Sequence, residues 1–257
     1  MSLPGADLDH DRALAALVNL VTVLADTKYY MGRRTSEWAT GAPTLEAAVA
    51  AAAIAQEELG HSRAIYPLLE ELPWPGRPLP LEREHDRERR YCVSFLDEAF
   101  PSWSHVVASF ALIDTATTTM FEALLDGTFE ALATRVRRAL DEERFHMGYA
   151  ESVVRNIVQF DQGRELLQRR VDALMPEMLC WFGPEGEQGV EALHSARFLT
   201  KTNEGLRQAY LKRVAPLLCE VGLRLPLRWN LGEARWEYDD LPWNRWSPLQ
   251  RRLQSAA

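Results

Sequence analysis

Cysteine is scarce in this chain, and the three present, Cys92, Cys180 and Cys219, lie far apart with no C-x-x-C pair. That argues against a disulfide framework, a zinc knuckle and an iron–sulfur cluster, and it makes a reducing cytoplasm the expected compartment. Basic residues are outnumbered, 29 against 37 acidic ones, for a formal charge of −8. A broad basic face for non-specific nucleic-acid binding is therefore not expected. Long apolar runs are also missing. The most apolar stretch, Leu45 to Ile54, is too short to span a bilayer and is bounded by charge. The opening residues, MSLPGADLDHDRAL, have neither a basic n-region nor an apolar h-region, so no signal peptide is expected. No flavin or nicotinamide fingerprint and no repeat of solenoid length is visible.

What the chain does have is helix formers, with breakers gathered into clusters. Leu14, Leu17, Val18, Val21, Leu24 and Ala25 recur at helical spacing and predict a first helix from about Asp9 to about Glu37. Gly41–Thr44 ends it, and a second helix is predicted from about Leu45 to Leu72. The proline-rich run Pro73–Leu81 is a rigid connection, and the charged stretch Glu82 to Arg90 reads as a short solvated helix. Long helices are then predicted over about Ser102–Leu125, Phe129–Phe160 and Arg164–Phe182, with shorter ones over Val190–Leu199 and Glu204–Gly222. The tail from Leu223 to Ser247, rich in Pro and Trp, reads as irregular or short-stranded. The expected fold is all-α, one domain over residues 1–257, with a core bundle over about 9–160 and C-terminal helices and an arm over about 163–257.

Four Glu-x-x-His matches stand out, where chance gives roughly half of one. Glu82–His85 and Glu191–His194 follow loops in polar surroundings and read as solvated surface pairs. Glu58–His61 and Glu143–His146 lie inside long helices among apolar residues. A lone mid-helix His is usually just a core or boundary residue, but two such pairs make the same demand of each other. A spacing of three places carboxylate and imidazole on one helix face. Two facing helices of this kind, with a carboxylate from each of two more, build the di-iron carboxylate site of a four-helix bundle. Glu57 and Glu142 precede the two ligand positions and point about 100° away, towards solvent or a supporting role beside the ligands.

The third helix offers Asp114, isolated in the apolar stretch VVASFALIDTATTTMF. A carboxylate there is costly unless it is paired or metal-bound. A hydrogen bond to a nearby Thr or a solvent-facing position are the plainer alternatives, and Asp126 is less suited because it adjoins Gly127 at the helix end. The first helix carries Asp26 and Glu37 as its late carboxylates, with Lys28 between them.

WATGAPTLEAAVAAAAIAQEELGHSR resembles the phenylacetate-catabolic family of ferritin-like proteins. DEERFHMGY, MLCWFGPEG, HSARFLTKTNEGLRQAYLKRVAPLLCEVGL and the WNLGEARWEYDDLPW tail resemble the catalytic subunit of its phenylacetyl-CoA epoxidase complex. MGRRTSEWATGAP is also similar to the structural subunit, which has lost metal ligands. The resemblance runs from about Thr27 to Trp243 and implies a ferritin-like four-helix bundle. Carried over, the family's ligand positions fall on Glu58, His61, Asp114, Glu143 and His146. The first-helix Glu falls on Lys28. A slip that brings Asp26 to that slot would need about 200° of rotation.

The resemblance implies a di-iron monooxygenase component that inserts oxygen from O2 into an aromatic CoA thioester, with iron as cofactor. Electrons would come from a separate reductase, and a ferritin-like partner subunit or a homodimer is expected, with no nucleic acid and no membrane. Lys28 complicates this, because an ammonium repels iron and is no ligand for a hard cation. Four outcomes stay open: a neutral Lys28 ligating or lying beside two metals in the catalytic site, one metal only, a metal-free ion-pair cluster in a structural subunit, or a Lys28 that snorkels to solvent. Arg33, Arg34, Lys201 and Arg207 are candidate phosphate contacts, though each also reads as an ordinary solvated charge. Trp181 and Phe182 read as packing residues, and the tryptophans of the tail as an exposed docking arm.

Overall fold

A computed structural model describes residues 4–74, 80–81, 83 and 90–254. Four long helical rods form a bundle: α1 (Pro4–Ser36), α2 (Leu45–Ile65), a central rod made of α4 (Trp103–Ala108), a π-helical segment (Ser109–Asp114) and α5 (Thr115–Leu125), and α6 (Glu130–Ile157). The seam positions explain why they pack. On α1 the buried series is Leu14, Leu17, Val21, Leu24, Lys28, Met31, Thr35. On α2 it is Ala47, Ala51, Ile54, Glu58, His61, Ile65, and on α6 Leu132, Val136, Ala139, Glu143, His146, Ala150, Val153. Each series advances by alternating threes and fours, the spacing that keeps one stripe facing a neighbouring helix. Each fully buried leucine contributes about 2 kcal/mol, and the charged and histidine exceptions in the three stripes fall at the same level.

Local chemistry fixes the ends. The Thr44 side chain caps α2 by accepting from the Ala47 amide at 3.1 Å. The second helix does not run to Leu72 as the periodicity predicts. Pro67 has no amide hydrogen and disfavours helix in the residue before it, so α2 stops at Ile65 and a four-residue turn, α3 (Leu68–Glu71), follows. α1 and α2 approach closely at Gly32, where a Cβ would lie 2.7 Å from Leu59 Cγ and 2.9 Å from the Ala55 carbonyl oxygen. The central rod is buried nearly all round. Its hydroxyls turn back on the backbone: Ser109 donates to the Val106 carbonyl, Thr117 to that of Asp114, and Thr119 to that of Thr115.

Three further helices lie against this bundle. α7 (Asp161–Trp181) packs on α4, α8 (Gln188–Ser195) on α1, and α9 (Asn203–Glu220) on α5. The tail forms a small antiparallel hairpin, β1 (Leu227–Asn230) with β2 (Arg235–Tyr238), and two two-residue strands, β3 (Trp246–Ser247) with β4 (Arg252–Leu253). The all-α, ferritin-like expectation is met, with a short-stranded arm. The charged stretch after the proline-rich run falls largely outside the described residues, and the Glu82–His85 pair falls there entirely. No described helix is long and apolar enough to cross a membrane.

Two expectations change. Arg207 is not a solvated charge: it is 1 % exposed and clamps the arm. Its Nε donates to the Leu179 carbonyl at 2.8 Å and its guanidinium reaches Tyr238 Oη at 3.0 Å, Glu204 and the Gly183 carbonyl. The tryptophans are not one exposed arm either. Trp229 is exposed and faces Trp236 across the hairpin, whereas Trp243 and Trp246 are half-buried. Trp181 and Phe182 are fully buried packing residues, as expected.

Candidate metal centre

Apart from Thr35, the polar exceptions of the stripes meet inside the bundle. Lys28 Nζ lies 3.1 Å from Glu58 Oε1, 2.5 Å from Asp114 Oδ1 and 2.5 Å from Glu143 Oε1. Lys28, Glu58 and Glu143 are 0 % exposed. Thus α1 supplies a cation and α2, the π segment and α6 supply one carboxylate each. Thr118 donates to the other Glu143 oxygen at 2.7 Å, and Phe121 turns its ring to Lys28 Nζ at 5.5 Å from the centroid. Lys28 does not snorkel.

The two histidines are held crosswise. His146 on α6 places Nε2 2.7 Å from Glu57 of α2, and His61 on α2 places Nε2 2.7 Å from Glu142 of α6. Each Nδ1 then faces inward: that of His146 lies 3.1 Å from Asp114 Oδ2 and 3.5 Å from Glu58 Oε1, and that of His61 lies 3.3 Å from Glu143 Oε1. Of the two roles left open for Glu57 and Glu142, solvated or supporting, both apply: each is partly exposed and each holds a histidine of the other helix. The sequence signal for the supporting role was their place one residue before each ligand position. The roles of Thr118 and the π-helical turn were not foreseen.

Burial would by itself discharge Lys28, but Asp114, Glu143 and Glu58 outweigh it and hold its pKa well above that of an ordinary lysine. Burial also opposes protonation of His146, yet Asp114 and Glu58 beside Nδ1 push its pKa up to about 11. His61 is raised too: burial is overcome first by its bond to Glu143. Burial and the neighbouring charge of Asp114 push Glu58 up to about 7 against the pull of Lys28. Asp114 goes the other way: burial raises it, but Lys28 and His146 hold its carboxyl well below the usual range. Three carboxylate oxygens around Nζ favour the ammonium form of Lys28.

The remaining candidates lie elsewhere. Asp26 is fully buried but accepts from Tyr66 Oη and from the Tyr91 amide, away from Lys28. Glu37 pairs with Arg34 at 2.8 Å, and Asp126 stands at the end of α5. Glu191 and His194 lie on α8, exposed and half-buried respectively. Of the sequence-predicted ligands, Glu58, Asp114, Glu143 and His146 each bring one donor atom within 4.8 Å of the others. This buried group of carboxylates and an imidazole could hold a metal ion, with His61 beside it.

No curated protein matched the chain. The family described as phenylacetic acid catabolic protein matches residues 2–256. With the bundle, the paired Glu-x-x-His helices and the buried carboxylates in place, the chain belongs to the phenylacetic acid catabolic protein family.

Proposed function

We propose that the chain is a subunit of a cytoplasmic oxygenase complex acting on phenylacetate or a related aromatic acyl-CoA, and that it has exchanged a two-metal centre for an internal ion-pair centre. The observation that carries this is the Lys28 ammonium within hydrogen-bonding distance of three carboxylates from three helices. With all three ionised, one ammonium leaves two negative charges. Protonation of His61 and His146 balances them within the buried group without metal, leaving Glu57 and Glu142 as partly exposed carboxylates at its edge. One divalent ion balances them with neutral imidazoles. A second divalent ion would meet no carboxylate from α1, only the Lys28 cation, which would repel it. The role expected of such a subunit is to hold and complete a catalytic relative.

A second reading retains the oxygenase activity with one iron, held by Glu58, Asp114, Glu143 and His146 with His61 adjacent. Its support is that Glu58 Oε2 is buried and has no hydrogen-bond partner among the described residues, an atom that a cation would satisfy. Iron bound there would supply reduction of O2 for oxygen insertion, with electrons from a separate reductase. Lys28 would then keep the carboxylates ordered, and Glu57 and Glu142 would fix the imidazoles with Nδ1 inward.

Metal analysis after anaerobic Fe(II) loading separates the readings. The subunit reading expects no bound iron in stoichiometric amount and tight binding to a catalytic relative. One iron per chain with reductase-dependent O2 uptake favours the second reading. Two irons per chain refute both.

A further inference from the structure

The helix α2 carries a second stripe besides the one that faces the centre. Leu45, Val49, Ala52, Gln56, Gly60 and Arg63 are all exposed. Their steps of three and four residues keep them on one line down the outer face of the helix. Leu45 is 77 % and Val49 62 % exposed, large apolar side chains that the monomer leaves in water. Between Glu46 at its start and Arg63 at its end the stripe holds no charge.

The two ends of this stripe differ in shape. The N-terminal end projects Leu45 and Val49. The C-terminal end is hollow: a Cβ added to Gly60 would meet nothing within 4 Å, and Ala64 follows one turn along. Gly60 and Ala64, with Ile65 and with Ala139 of α6, line a groove of about 370 Å³ between the two helices. Charges from α6, Arg138 and Glu142 among them, stand along it. Phe145, 52 % exposed, lies one turn beyond Glu142 on the same side of α6.

Turned end for end, the stripe fits itself. A twofold axis crossing α2 between Ile54 and Ala55 brings Val49 of one copy opposite Gly60 of the other. The same axis brings Leu45 opposite Ala64 and Glu46 opposite Arg63. Each large side chain meets a gap, and each charge meets its opposite. Arg63 already has an interaction within its own chain, and a guanidinium has donors for more than one partner. The 21 residues of α2 span about 31 Å, and α2 and α6 side by side are about 20 Å wide. That offers about 600 Å² per copy, the lower end of a specific interface.

We propose that α2 and the adjoining edge of α6 form the contact between two copies of this chain. The two α2 helices run antiparallel, and each seats its Leu45 and Val49 in the groove of the other. Such a contact is isologous, with an apolar middle and charged margins. It also bears on the centre. His61 and Glu142 line the same groove, so pairing covers the histidine of α2 together with the carboxylate that holds it at 2.7 Å. The pairing is independent of how many metal ions the centre holds.

Sedimentation velocity on the full chain, from about 1 to 100 µM, brackets the affinity of an interface this small. The wild type is expected to be dimeric at the top of that series. Val49→Arg puts a charge where the apolar side chain seats, and Gly60→Leu fills the gap that receives it. Both positions open to solvent in the single chain, so melting curves of dilute chain are expected to stay unchanged. Each substitution enters a twofold contact twice. At about tenfold per mismatch, dimer affinity should fall about a hundredfold in either variant. Leu231→Arg, at the 85 % exposed turn between β1 and β2, should leave it as it was. A wild type that stays monomeric overturns the proposal, including one that pairs only with a different ferritin-like chain. So does a dimer that persists in folded Val49→Arg, or one that is lost in Leu231→Arg alone. Should Gly60→Leu fail to fold, Val49→Arg carries the test by itself.

Discussion

Replacing Lys28 by methionine keeps most of the side-chain volume and removes the charge. The side chain is fully buried, so water cannot replace the ammonium, and Glu58, Asp114 and Glu143 are left facing one another. Removing one partner of a buried ion pair costs about 3–5 kcal/mol, and in a chain of this size each kcal/mol moves the melting point by about 2–4 °C, so the metal-free variant should melt roughly 6–20 °C below wild type. The loss should be largely recovered by Mn(II) or Zn(II), since the freed carboxylates now hold a divalent ion without a competing ammonium. At a hundredfold excess over Kd such binding restores about 2.7 kcal/mol. Lys28→Glu goes further, recreating four buried carboxylates. It should be poorly folded without metal and take up more metal per chain than wild type. The assay is calorimetric melting with EDTA and then with added ion, beside elemental analysis. A shift within about 2 °C for metal-free Lys28→Met, the size expected of a solvated pair, refutes the claim that the ammonium holds the centre together. If Lys28→Glu gains no metal over wild type, Lys28 is not what limits occupancy.

Three further outcomes follow from the packing around the centre. Glu57→Ala and Glu142→Ala each free one imidazole from the carboxylate that turns its Nδ1 inward, and should weaken any divalent-ion binding by about 10–100-fold; equal ion affinity in wild type and variants would show that the crossed pairs do not orient the histidines. Gly32→Ala drives a methyl against Leu59 and the Ala55 carbonyl and should destabilise the chain by about 1–3 kcal/mol, read by urea melting. Glu177 is buried and accepts from the Ser94 amide at 2.8 Å, from the Ser94 hydroxyl, and from the Leu253 amide at 3.3 Å. Burial is the largest influence on its carboxyl and raises its pKa above the ordinary value. Between the unfolded and the raised folded value the native chain holds the extra proton. Stability is therefore fullest below that interval and falls as pH rises through it. Glu177→Gln should remove this component of the pH dependence, which stability curves from pH 4 upward would detect.

The helices were legible because their apolar positions repeat. Where the repeat was locally overruled, the reading slipped: Pro67 ends α2 early, and the π segment sits inside a stretch whose sequence reads as ordinary helix. The centre was legible in an uneven way. Glu58, His61, Glu143 and His146 continue the alternating three-and-four stripes of their helices in place of apolar residues. Lys28 does the same on α1, between Leu24 and Met31. Counting stripe positions therefore singles out all five without any family comparison, and it separates them from Glu191 and His194, which lie on the outer, polar side of α8. It also ranks the two acidic candidates near Lys28. Asp26 is off the seam and is satisfied by Tyr66 and Tyr91, so its burial has no bearing on the centre. The stripes could not report what balances the charge. A lysine in a seam position means only that a cation is buried there. Whether it faces one carboxylate or three depends on helices 30 to 115 residues apart along the chain. That convergence follows from the bundle, and it makes one side chain on α1 the common partner of carboxylates from three other segments.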